Sequence, residues 1–150
     1  MKTVQGDLLQ MALRGDFDVI VHGCNCFNTM GAGIAKFVKA TFPEAYEADL
    51  ATAKGDRGKL GSYSSATVER AGRRLTVVNA YTQFHYRGRK PLVDYEALSQ
   101  VFHAIGRDFA GQRIGYPKIG AGLAGGDWER ISRLIDDALE GAEHTLVEFA

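Results

Sequence analysis

Cysteine is scarce in this chain: of 150 residues, only Cys24 and Cys26 are cysteines. They are too close together to close a stabilising loop, and their spacing is not the C-x-x-C of a redox or zinc pair. A disulfide scaffold is thereby excluded, and two reduced thiols fit a cytoplasmic protein. An excess of one charge is also lacking, since 18 basic residues balance 18 acidic ones. Sequence-independent binding to a phosphate backbone normally needs a basic excess, so no direct nucleic-acid binding is expected. The longest uncharged run, residues 19–35, is interrupted by Asn, His, Thr and three glycines. Nothing at the start resembles a signal-peptide core, and a soluble chain without a membrane partner is expected. The four histidines, at 22, 85, 103 and 144, show no ligand spacing with Asp, Glu or Cys, so neither a metal nor another cofactor is expected. Repeats and linkers are absent too, which leaves one domain over residues 1–150.

What is present is an ordinary folding composition, 45% hydrophobic and 10% aromatic, too apolar for a disordered chain. Strand-like and helix-like segments alternate throughout. Residues 2–5 read as a strand, Asp7 as the cap of a brief helix over 8–13, and residues 17–21 as a buried strand. A helix over 34–41 precedes another opened by Pro43 and running toward residue 53, with Gly55 and Gly58 ending it. Residues 63–68 and 75–81 flank Ala71-Gly72 as an antiparallel hairpin. Leu98, Val101, Phe102, Ile105 and Phe109 follow Asp94 at helical spacing, and Ile131, Leu134, Ile135, Ala138 and Leu139 follow Asp127 in the same way. Strands over 114–119 and 145–149 complete the set. The expected class is α/β: a three-layer α/β/α sandwich around a mixed, mostly parallel sheet.

Glycine is the enriched residue, at 18 of 150. Two windows, residues 23–33 and 120–126, hold seven of these glycines. Each window lies between a strand and a helix, where free N–H groups and the positive end of the helix dipole share one space. Such a place suits an anion, and two loops together suit a diphosphate. Tight βα turns are the plain alternative. A Walker A loop is excluded by spacing. Gly120-x-Gly122-x-x-Gly125, with Glu148 further on, matches a dinucleotide fingerprint, so an NAD-binding fragment stays open although the motif lies in the last βαβ unit.

Gly6-Asp7-Leu8, Val21-His22-Gly23-Cys24-Asn25-Cys26, Gly31-Ala32-Gly33-Ile34-Ala35 and Gly120-Ala121-Gly122-Leu123, in that order, resemble the macro domain, an ADP-ribose-binding family, over essentially the whole chain. The branch it looks most like holds the ADP-ribose 1″-phosphate phosphatases and the terminal ADP-ribose glycohydrolases. The resemblance implies that Asp7 binds the adenine amino group with Leu8 beside the base, and that Asn25 meets the distal ribose. It also implies a first diphosphate loop of Gly31, Ala32, Gly33 and Ile34 and a second of Gly120, Ala121, Gly122, Leu123, Ala124 and Gly125. The partner would be ADP-ribose, a derivative of it, or an ADP-ribosylated protein.

Where the glycohydrolases carry a lysine before the hairpin turn and an aspartate after Gly-x-Gly-Leu, this sequence is read as having Glu69 and Ala124, so a lysine-dependent route is not expected. The catalytic set implied is His22, Asn25 and Asp127, with Asp127 orienting water and His22 donating a proton. Each has a structural alternative: a helix cap for Asp127, a core histidine for His22, an Asx turn for Asn25. The cysteines read as buried small hydrophobes. The expected function is hydrolysis of ADP-ribose derivatives, such as ADP-ribose 1″-phosphate or ADP-ribosyl esters. The alternative is a module that binds ADP-ribose without turnover.

Overall fold

A computed structural model describes residues 1–149. The elements run β1 (Lys2–Gln5), α1 (Leu8–Leu13), β2 (Val19–Cys24), α2 (Gly33–Thr41), α3 (Pro43–Leu50), a 3-10 turn (Arg57–Lys59), β3 (Tyr63–Arg70), β4 (Arg73–Tyr81), α4 (Tyr95–Asp108), β5 (Ile114–Tyr116), α5 (Trp128–Ala138) and β6 (His144–Glu148). The sheet order is β1-β6-β5-β2-β4-β3. All pairings are parallel except that of β3 with β4.

Strand alternation builds the three layers. Val19 and Val21 of β2 and Val78 and Ala80 of β4 face one core with Leu98, Val101, Phe102, Ile105, Ile131 and Ile135 from α4 and α5. Ile20 and Val77 face the opposite core with Leu8, Leu9, Val38, Phe42 and Ala45 from the first three helices. Central strands buried on both faces are what helices on both sides of a parallel sheet require. Asp7, Asp94 and Asp127 cap their helices, accepting backbone N–H bonds from Leu9, Ala97 and Glu129 at 3.0, 3.0 and 3.1 Å. The hairpin turns through Ala71 and Gly72, at φ 52° and 74°, the doubly left-handed turn that matches strand twist.

Several boundaries depart from the sequence reading. Strand β2 begins at Val19 rather than Phe17, because Asp18 turns its carboxylate to Arg113, accepting from its backbone N–H at 2.8 Å and its side chain at 3.0 and 3.1 Å. Strand β5 stops at Tyr116 because Pro117 has no N–H to donate and the chain bends there, the Ile119 N–H bonding Pro117 O at 2.7 Å. Helix α3 ends at Leu50, short of residue 53.

Candidate functional site

The connections set the site's place. From β2 the chain moves to β4 and β3 on one side of the sheet; from β5 it moves to β6 on the other. The loops leaving the carboxyl ends of neighbouring β2 and β5 therefore diverge and open a crevice, the general ligand position in open α/β sheets. Those two loops carry the glycine windows.

An inner cavity of about 580 Å³ lies between them. Gly31, Ala32, Gly33 and Ile34 line one wall and Gly120, Gly122, Leu123 and Ala124 the other, with Asn25 and Thr29 from the β2 loop and Gln83, Tyr86 and Leu92 from the segment after β4. Ala32 provides no side-chain cap to α2, which leaves the first N–H groups of that helix free to meet an anion. Gly33 adopts φ +58°, and a Cβ there would stand 3.4 Å from Leu123 Cδ1 of the opposite loop. The two loops thus nearly touch across the cleft. At Gly126 a Cβ would lie 2.5 Å from Gly120 O, so the fold of the second loop requires glycine.

An outer cavity of about 760 Å³ is lined by Asp7, Leu8, Ile34, Phe37, Lys118, Val147, Glu148 and Phe149, among others. Both cavities share Ile34, Pro117, Lys118 and Gly122, so they adjoin as one cleft beside the glycine loops. Phe37, Leu123, Tyr86 and Phe149 are exposed apolar or aromatic side chains on this cleft. Large apolar groups left in water along a concave surface mark a binding site. Both cap bonds of Asp7 fall on Oδ1, and its Oδ2 faces no hydrogen-bond partner among the described residues. Lys118 Nζ lies 3.5 Å from Glu148 Oε1 at the junction of the cavities.

No family model matches the chain. A protein of Enterobacteria phage T4, described as an uncharacterized 17.5 kDa protein in the tk-vs intergenic region, is 34% identical over 155 residues, spanning 99% of this chain and 96% of that protein. The DNA ADP-ribosyl glycohydrolase of Thermus aquaticus is 26% identical over 145 residues, 95% of this chain but 39% of that protein. The ADP-ribose 1″-phosphate phosphatase of Aspergillus oryzae is 41% identical over 46 residues, 31% of this chain and 21% of that protein. Among solved structures, a macrodomain protein of Streptomyces coelicolor matches with a TM-score of 0.74 at 28% identity, covering 97% of each chain. This chain has the macrodomain fold. The macrodomain of Thermus aquaticus DarG, at TM-score 0.75 and 24% identity over 99% of this chain and 95% of that one, has the same fold.

Within this fold the expected loop residues Gly31, Ala32, Gly33, Ile34, Gly120, Gly122, Leu123 and Ala124 all line the inner cavity, and Ala121 lines the outer one. Gly125 lines neither; it supports the loop, its N–H bonding Gly122 O at 3.0 Å. Asn25 faces the inner cavity while forming an Asx turn, accepting from the Phe27 N–H at 2.8 Å and donating to Thr29 Oγ1 at 2.8 Å.

The other two expected catalytic residues are placed differently. Asp127 is exposed, caps α5 and lines neither cavity. His22 is 2% exposed and points into the sheet interior, its Nε2 2.7 Å from Asn79 Oδ1. Asn79 Nδ2 donates to Ala45 O and Ser64 Oγ, so Oδ1 is the acceptor and His22 Nε2 carries the proton. Burial, only partly offset by the Asn79 bond, pushes the imidazole down to about 4. A proton donor at neutral pH is not what this histidine offers, and Asp127 stands at the cap of α5, outside the lining of both cavities.

Burial likewise holds the Cys24 thiol well above its ordinary range, which makes it a poor nucleophile although it lines the cleft. Glu69, read as standing where the glycohydrolases carry a lysine, pairs with Arg74 beside the hairpin turn, at the end of β4 opposite the cleft. The residues after β4 that do face the cleft are Gln83, Tyr86 and Leu92. Sequence reasoning missed Gln83, Thr29, Leu92, Lys118, Phe37 and Phe149. Phe37 carried no signal, because it stands three residues after Ile34 and beside Val38, at ordinary core spacing in its helix.

Proposed function

We propose that this chain binds ADP-ribose along the cleft and hydrolyses the substituent at the 1″ position of its derivatives, ADP-ribose 1″-phosphate first among them. Adenine occupies the outer cavity between Phe37 and Phe149, with its amino group on Asp7 Oδ2. The diphosphate crosses the junction beside the glycine loops, and the distal ribose lies in the inner cavity against Asn25. The observation that carries this reading is the adjoining of the two cavities beside the glycine loops, through the shared Ile34, Pro117, Lys118 and Gly122. An outer end with two exposed rings and the Asp7 carboxylate, a glycine-lined waist and an inner end carrying Asn25, Thr29 and Gln83 match the order of groups in ADP-ribose. Hydrolysis is supported by the activities named for the Thermus aquaticus and Aspergillus oryzae relatives.

Hydrolysis of the 1″-phosphate consumes one water and releases inorganic phosphate and ADP-ribose. With His22 buried and Asp127 at a helix cap, the chain's contribution is positioning. Loop N–H groups hold the diphosphate, and Asn25 sets the ribose. The departing anomeric oxygen is a better leaving group than an ordinary alkoxide, and water carries the proton. The test is phosphate release from ADP-ribose 1″-phosphate by the wild-type chain and Asn25→Ala. Release that falls about a hundredfold in the variant is expected. Binding of ADP-ribose with no release in the wild type would leave a reader module instead.

The mouth of the inner cavity favours a second reading of what hangs from the 1″ position. Arg87, Arg89 and Lys90 are exposed there in a segment, residues 85–91, without an acid. A Cβ on Gly125 would meet Lys90 Cδ at 2.9 Å, so the basic segment lies against the second glycine loop. Local positive charge suits a nucleic-acid strand, as in the name of the Thermus aquaticus relative. Turnover of an ADP-ribosylated oligonucleotide that falls steeply with salt would support it; salt-independent turnover would not.

A further inference from the structure

Lys59 ends the 3-10 turn between α3 and β3 and is 7% exposed. None of the ion pairs among the described residues includes it. Its ammonium donates instead to two neutral oxygens, Cys26 O at 3.1 Å and Asn28 Oδ1 at 2.7 Å, and rests 4.9 Å from the centre of the Tyr81 ring. The buried Asp49 carboxylate, which accepts from the Tyr81 hydroxyl, acts on Lys59 only through space and not by a direct bond; burying a cation that donates to no carboxylate is costly, and a methionine of similar length would fill the same space without that cost. Packing alone does not account for a lysine here.

Both acceptors belong to the loop that follows β2. Asn28 sits at φ 58°, the left-handed region that residues other than glycine generally avoid. Its side chain is held from two directions, by Lys59 and by donation to Thr52 O at 3.0 Å. The Cys26 carbonyl is held twice as well, by Lys59 and by the Gly55 N–H at 2.7 Å. One residue to either side of this clamped stretch stand Asn25 and Thr29, the pair that faces the inner cavity.

We propose that Lys59 is a positioning residue for the 1″ end of the ligand: by clamping Cys26 and Asn28 from beneath, it fixes the loop shape in which Asn25 and Thr29 meet the distal ribose. This rests on the ligand orientation given above. Lys59 touches no ligand and acts through the loop. Its removal therefore affects ligands that carry a distal ribose and spares those that end at the diphosphate.

The experiment is calorimetric titration of the whole chain with ADP-ribose and with ADP, for the wild type, Lys59→Met, Lys59→Arg, Asn28→Gly and the Lys59→Met/Asn28→Gly double variant. Asn28→Gly keeps the left-handed backbone while removing the acceptor, so it serves even where Lys59→Met does not fold. Lys59→Met is expected to lose about tenfold in ADP-ribose affinity while ADP stays within about twofold. Lys59→Arg, which keeps the charge and the donors, recovers part of the loss. Asn28→Gly matches Lys59→Met, and the double variant is no worse than either, because the two act through one contact. Variants that weaken both ligands equally, or neither, overturn the role of Lys59 while leaving the cleft reading intact. A wild-type chain that binds ADP-ribose no better than ADP overturns the ligand orientation itself and this inference with it.

Discussion

His22 gives the prediction that separates a buried structural imidazole from an acid catalyst. Its folded value of about 4 lies below the ordinary 6.5. Between these values the unfolded chain binds a proton that the folded chain does not, so stability rises with pH across this window. The contribution of neutral His22 is fully present above the unfolded value and is lost as pH falls toward the folded one. A displacement of that size corresponds to about 3 kcal/mol at most, and about 2 kcal/mol of it falls between pH 7 and pH 5. Against a total of about 5–15 kcal/mol for a domain, this is a large share. Gln in place of His22 can still donate to Asn79 Oδ1 and does not titrate. Burial lowers His144 as well and raises Asp49, but both are common to the two proteins and cancel in the difference. The assay is urea unfolding of wild type and His22→Gln at about pH 7 and pH 5, with equal m-values as the two-state control. Wild type should lose about 2 kcal/mol more than the variant over that interval. Parallel losses would mean that His22 titrates normally when folded and that its burial has been misjudged.

Asp127→Ala should cost about 1 kcal/mol of stability through loss of the α5 cap and leave ADP-ribose affinity and phosphate release unchanged; loss of turnover with retained binding would return Asp127 to the reaction. Ala71→Gly relieves a left-handed alanine in the hairpin turn and should stabilise the chain by about 1 kcal/mol, read as a rise in Tm of about 2–4 °C. Phe149→Ala should weaken ADP-ribose and AMP alike by about 1–3 kcal/mol if the ring stacks on adenine, whereas unchanged AMP affinity would place the base elsewhere.

Much of the fold was legible because its signals are local. Asp7, Asp94 and Asp127 stand immediately before their helices, and Ala71-Gly72 supplies the hairpin turn. Boundaries were lost where a distant partner intervened, as Arg113 does at Asp18, 95 residues away. The glycine loops were legible for the same local reason, but the rest of the cleft comes from α2, β6 and the segment after β4, which only the sheet order brings together. His22 shows the limit most clearly. Whether a histidine near the end of a strand faces the cleft or the interior depends on strand parity and on its neighbour, and Asn79 stands opposite it in register on β4. A polar residue at matching positions in the buried stretches of two strands was the hint. Overall neutrality concealed the basic stretch of Arg87, Arg89 and Lys90, because net charge averages over the surface.

The central claim is that one cleft holds ADP-ribose end to end, and calorimetric titration of the wild-type chain with ADP-ribose, ADP, AMP and NAD tests it most directly. Affinity should rise stepwise from AMP to ADP to ADP-ribose, as first the glycine loops and then the inner cavity are engaged, and NAD should gain nothing over ADP-ribose. Equal affinity for all four, tighter binding of NAD, or no binding would contradict the account.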